Sequence, residues 1–109
     1  MNRWIIAVST VGALGLSASS ARAEVPEKWT KYCTKCHGDD GHGKTKMGEK
    51  LKVGDMTTAD WQDKKKDDQM KARIRNGNPE VKQPGFAADK LTDGEVDTLV
   101  KFIRTLRQK

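Results

Sequence analysis

The sequence predicts a small all-α fold of a few helices, and three observations predict it. No stretch alternates apolar and polar residues with the period of two that a half-buried strand requires. The C-terminal segment carries helix signals at every level: Thr92 as N-cap, Glu95 as its capping-box partner, and Leu91 with Val96 as a hydrophobic staple. Val96, Leu99, Val100, Ile103 and Leu106 then form one apolar stripe. Finally, residues 33–37 read Cys-Thr-Lys-Cys-His, a spacing that on a helical turn sets two thiols and an imidazole on one face.

Cys33 and Cys36 are the only cysteines in the 109 residues, and His37 follows directly. This is the attachment sequence of a c-type haem, in which two thiols add to two vinyl groups while the imidazole reaches the iron from the same side. One covalent haem c with its iron is therefore expected, with Cys33 and Cys36 as thioether anchors and His37 as the proximal axial ligand. A redox dithiol would belong to a βαβ unit, of which there is no sign. A zinc site would consume nearly every cysteine and histidine present.

The N-terminus reads as an export signal: a basic start at Met1 to Arg3, an apolar run over 5–18, and Ala21-Arg22-Ala23 as a small-x-small cleavage site before Glu24. The apolar run falls short of the roughly 20 residues of a membrane span, and no later segment qualifies. A signal peptide over 1–23, a single domain over 24–109 and a periplasmic address are expected, in keeping with haem attachment after export. A domain this short buries a marginal core by itself, and a tethered apolar macrocycle adds to it. The formal charge is +6, from 21 Lys and Arg against 15 Asp and Glu. Loss of Arg3 and Arg22 leaves a mildly basic surface, suited to acidic redox partners and not demanding nucleic acid. Lys64-Lys65-Lys66-Asp67-Asp68 mixes signs and reads as a solvated face.

Along the domain, Pro26 opens a helix running to about Cys36, with Val25, Trp29, Tyr32, Cys33 and Cys36 at spacings of three and four. Three glycines in residues 38–43 demand a loop. Residues 44–59 show no sustained period and read as irregular, with room for one helical turn. A second helix is expected over 67–75, capped by Asp67 or Asp68, with Met70 and Ile74 on one face and Asn76-Gly77 as its stop. Residues 78–88 carry Pro79 and Pro84-Gly85 and read as a second irregular stretch. The C-terminal helix is expected to pack on the Trp29/Tyr32 face. Its weak point is Gly94, which costs somewhat under about 1 kcal/mol relative to alanine.

Taken together, Cys33 to Gly38, the Asp40-Gly41-His-Gly43 loop, Trp61, the Pro84-Gly85-Phe86 turn, and the Lys90-Leu91-Thr92 and Ile103 to Leu106 blocks resemble a class I cytochrome c of the small bacterial mono-haem type. The resemblance spans essentially all of 24–109. It implies a cytochrome c-like domain wrapped around one haem, with the first and last helices touching near a haem edge. It also implies that Trp61 lies beside a propionate and donates its indole N–H there; a plain core aromatic is the alternative. One departure stands out. The family's second axial ligand is usually a methionine in a Met-Pro-x-Phe context, and here the matching residue is Gln83.

A thioether favours ferrous iron, whereas a glutamine carbonyl oxygen is harder and favours ferric iron. Three alternatives stand for the sixth position: Gln83, Met56, or an open or water-bound site. Met47 lies too close after the loop, and Met70 belongs to a helix face. His42 follows His37 too closely to cross the porphyrin plane, and Lys82 would first have to lose its charge. The function that follows is a one-electron carrier, not an enzyme, exchanging electrons with a reductase, dehydrogenase, oxidase or another cytochrome. The alternative is a haem protein that binds or senses a gas or peroxide at a weak sixth site.

Overall fold

The structure, a computed structural model, describes residue 12 and residues 24–108. The signal peptide expected over 1–23 therefore lies, but for residue 12, outside the described residues. Among the described residues no helix is long and apolar enough to cross a membrane.

Among the described residues six α-helices follow one another: α1 Glu27–Tyr32, α2 Thr34–His37, α3 Lys46–Leu51, α4 Ala59–Lys64, α5 Asp67–Asn76 and α6 Asp93–Thr105. The single helix expected to deliver the cysteines is broken at Cys33 into α1 and α2. The Thr34 hydroxyl donates to the Thr30 carbonyl (2.9 Å), a competing bond of the kind that bends helices. Helical bonding resumes at once, with the His37 N–H on the Cys33 carbonyl at 3.0 Å.

The stretch over 44–59 is less irregular than expected. Helix α3 is a six-residue piece whose N-cap, Thr45, accepts from the Gly48 N–H. The following α4 is capped in the same way by Thr58, which accepts from the Trp61 N–H. Elements of under two turns leave no periodicity to read, and their caps are the only local signal.

Helix α5 stops where Asn76-Gly77 predicts, but neither Asp67 nor Asp68 caps it. Lys66 is the N-cap, its N–H held by the Gln69 side chain at 2.9 Å. Asp67 is drawn away to the Arg104 guanidinium, whose Nε donates to it at 2.9 Å. The second stretch expected to be irregular is a hairpin: β1 Gly77–Asn78 pairs antiparallel with β2 Gln83–Pro84, around a 3-10 turn at Pro79–Val81. Two-residue strands are too short for alternation to reveal.

The capping box on α6 forms as expected, Thr92 accepting from the Glu95 N–H (3.1 Å) and Glu95 from the Thr92 N–H (3.0 Å). Leu91 and Val96, the staple pair, are both buried. Helix α6 packs on α1, where the Phe102 ring meets Trp29 edge-on at 5.1 Å, and also on α5, a partner the sequence did not nominate. Met70 and Ile74 join that second contact through the same core. Gln62, a buried amide, ties the layers: its Nε2 donates to the Met56 and Ile103 carbonyls (2.6 and 2.9 Å), and Arg104 Nη1 donates to its Oε1 (3.0 Å). A buried polar group so satisfied ties the core together, its desolvation cost offset by its hydrogen bonds.

Candidate functional site

The short α2, with Cys33 as its N-cap, carries the Cys-x-x-Cys-His segment, and its backbone is held from outside. The Thr45 hydroxyl donates to the Cys36 carbonyl at 2.7 Å while accepting from Gly48, and the His37 carbonyl accepts from the Gly43 N–H at 2.9 Å. Gly48 is buried against α2 so closely that a Cβ there would collide with the Cys36 carbonyl. Nothing in the sequence around Thr45 and Gly48 announced these roles, because both act across the glycine loop on a segment nine or more residues away.

The helices enclose a cavity of about 670 Å³, and the structure brings Cys33, Cys36, His37, Met56, Trp61 and Gln83 together on its wall. Met70 lines it too, whereas Met47, Lys82 and His42 do not. His42 is instead occupied in the loop, its Nδ1 3.0 Å from Asp55 Oδ2. Among the described residues every charged side chain in the lining is cationic, namely Lys52, Lys64, Lys65 and Arg73. Arg73 sits three residues after Met70 on α5, so its helical face was readable from spacing.

The two cysteines form no disulfide. Burial, reinforced by the neighbouring Cys36, pushes the Cys33 thiol up to about 12. Burial lowers the His37 pKa, which keeps the imidazole neutral with a lone pair to give. His37 Nδ1 is buried without a hydrogen-bond partner among the described residues, as is the indole N–H of Trp29. The two rings are stacked, with centroids 5.9 Å apart and planes 26° from parallel.

Gln83 reaches the wall from a hairpin seated on the C-terminal end of α5. Gly77, at φ +75°, lies so close that a Cβ would strike the Gln83 carbonyl, and Gly85 lies equally close to the Arg75 carbonyl. The Phe86 N–H caps the Ile74 carbonyl at 3.0 Å, and Arg75 Nη1 donates to the Phe86 and Leu91 carbonyls at 2.9 and 2.7 Å. Met56 is held differently. Its N–H donates to the Gly41 carbonyl (3.0 Å) in the loop that follows His37, and its own carbonyl accepts from Gln62. Trp61 lies across Gly54, where a Cβ would stand 2.9 Å from its Nε1.

These residues fit a planar apolar macrocycle with two carboxylate arms. The wall offers two thiols, one neutral imidazole, aromatic and aliphatic faces, and cationic side chains, with no carboxylate among the described residues to repel the arms. The family described as "Cytochrome C oxidase, cbb3-type, subunit III" matches residues 21–103. A solved structure titled "KustC0563 c-type cytochrome" is 34% identical, covers 74% of this chain and 94% of its own, and superposes with a TM-score of 0.68. No curated protein matches.

Proposed function

Because the chain belongs to the c-type cytochromes, in the cbb3-type subunit III family, and has their fold, we propose that it is a periplasmic one-electron carrier whose haem iron would be held by His37 and Gln83. Its cofactor is a covalently bound haem c. When bound, that group supplies the one-electron change between Fe(II) and Fe(III). The rest of the work belongs to the chain. Cys33 and Cys36 tether the macrocycle, His37 gives its neutral imidazole, and the lining lysines with Arg73 and the Trp61 N–H take up the propionate charge. Cytochrome c domains serve redox partners, and the exposed lysines of this one suit a partner with an acidic face.

The observation that carries the reading is the convergence of two thiols, an imidazole and the Gln83 hairpin on one cationic cavity. Gln83 is favoured over Met56 by how each backbone is held. Met56 is hydrogen-bonded at both ends to groups outside the hairpin, one of them in the loop after His37, while Gln83 is presented by a hairpin built on α5. A carbonyl oxygen at the sixth position stabilises ferric iron and lowers the potential relative to a thioether.

Absorption and magnetic circular dichroism spectra of the ferric protein, beside those of Gln83→Met, test the assignment. The wild type should lack a sulfur-to-iron charge-transfer band and the variant should gain one, with a raised potential. A band already present in the wild type would transfer the role to Met56, and an unaltered variant would take position 83 away from the iron. The cationic lining and the amides of Asn76, Asn78 and Gln83 also favour a second reading, a weakly closed site open to a small ligand. Fast carbon monoxide binding to the reduced protein would support it, and absent binding would leave the closed carrier.

A further inference from the structure

We propose that Trp29 is a positioning residue for His37, its indole setting the rotation of the imidazole ring by stacking. The inference rests on the reading of His37 as the axial ligand. A metal-bound histidine ordinarily donates its second ring N–H to a carboxylate, a backbone carbonyl or a water, and that bond holds the ring at one angle. His37 Nδ1 meets neither a carboxylate nor a carbonyl oxygen among the described residues. The terminal torsion of a histidine is broad, so without another restraint the ring would sample a range of angles.

The restraint is a surface. Trp29 lies against the His37 ring at 5.9 Å and 26°, within the separation at which aromatic pairs attract in an offset arrangement. The indole is itself immobilised. It is 1% exposed, the Phe102 ring abuts it at 5.1 Å and 60°, and its backbone carbonyl holds the Cys33 N–H at 2.9 Å. Rotating the imidazole away from its angle would mean lifting the indole out of the contact between α1 and α6. The packing of the two terminal helices is thereby transmitted, through one aromatic pair, to the plane of the ligand ring.

The test uses the holoprotein in its ferric cyanide adduct, where cyanide fills the sixth position and the imidazole plane governs the magnetic axes whatever Gln83 does. Trp29→Phe, which keeps an aromatic face, should preserve the order and spread of the haem methyl proton shifts. Trp29→Leu should reorder them or lose the single sharp set to broadening. An unchanged pattern in Trp29→Leu, or an equal change in Trp29→Phe, would overturn the proposal. Should Trp29→Leu fail to fold, Phe102→Leu takes its place, since it releases the indole edge and leaves α1 and α2 intact. It should broaden the same signals, and an unaltered set would again count against the stacking role. Failure of the underlying ligand assignment looks different, because the wild-type adduct itself would lack the strongly shifted imidazole signals of an axial histidine.

Discussion

The Cys33–His37 segment and the Gln83 hairpin face the same cavity, yet they are held there by opposite means. The first is a local device: one helical turn aligns its three groups, and Thr45 and Gly48 then grip its backbone from the next helix. The second has no local reason to sit where it does. It rests on α5 because Gly77 and Gly85 allow two backbones to touch, and because Arg75 reaches across to the Phe86 and Leu91 carbonyls. A motif packed into five residues survives as a readable pattern, whereas a group delivered by tertiary contact is visible only as a departure from an expected letter.

The largest expected effect comes from closing the glycine contacts on each side. Gly48→Ala should destabilise the fold by about 1–3 kcal/mol or more, the range for overpacking, because the added carbon meets the Cys36 carbonyl rather than a movable side chain. Gly77→Ala should lose a similar amount to a strained φ and the same kind of collision, and it should additionally displace Gln83 and alter the ferric spectrum. Urea unfolding paired with spectra at low denaturant checks both. A Gly77→Ala protein that is destabilised but spectrally normal would break the claimed link between hairpin seating and the iron.

A smaller effect sharpens the comparison on the His37 side. Partial burial raises the Asp55 pKa, but hydrogen bonds from Thr57 and His42 outweigh it and bring the carboxyl down from 3.8 to about 2. The ionised form is thus favoured by folding, so its contribution to stability is complete above pH 3.8 and is lost as the pH falls toward 2. Asp55→Asn should flatten stability across that acid window while leaving the neutral spectrum in place, and an acid profile identical to wild type would remove Asp55 from the account. The smallest effect serves as a control away from both regions. A Cβ at Gly94 meets nothing nearer than the Thr92 hydroxyl at 3.9 Å, so Gly94→Ala should raise the melting temperature slightly, a gain of up to about 1 kcal/mol, with no spectral change.

Legibility followed the length scale of each interaction. Helix α6 was readable in full because its cap, staple and stripe lie within the sixteen consecutive residues from Leu91 to Leu106, and the end of α5 was readable from Asn76-Gly77. Helices α3 and α4 were not, being single short pieces whose only signals are Thr45 and Thr58. The N-cap of α5 was misjudged because Asp67 has a long-range partner in Arg104, 37 residues on, which no local rule can see.

By itself the amino-acid order determined the helical class and the presence of a covalently bound haem, and it singled out the segment proposed to tether it, since these depend on periodicities and spacings of a few residues. The tertiary structure alone decided that Gln83 and Met56 are held by different scaffolds, and that Trp29 backs the His37 ring. It alone decided, too, that the charged side chains lining the cavity among the described residues are all cationic. Each of those is a contact between residues far apart in the chain, and such contacts are chosen by the packing of the whole core and not by any neighbourhood within it.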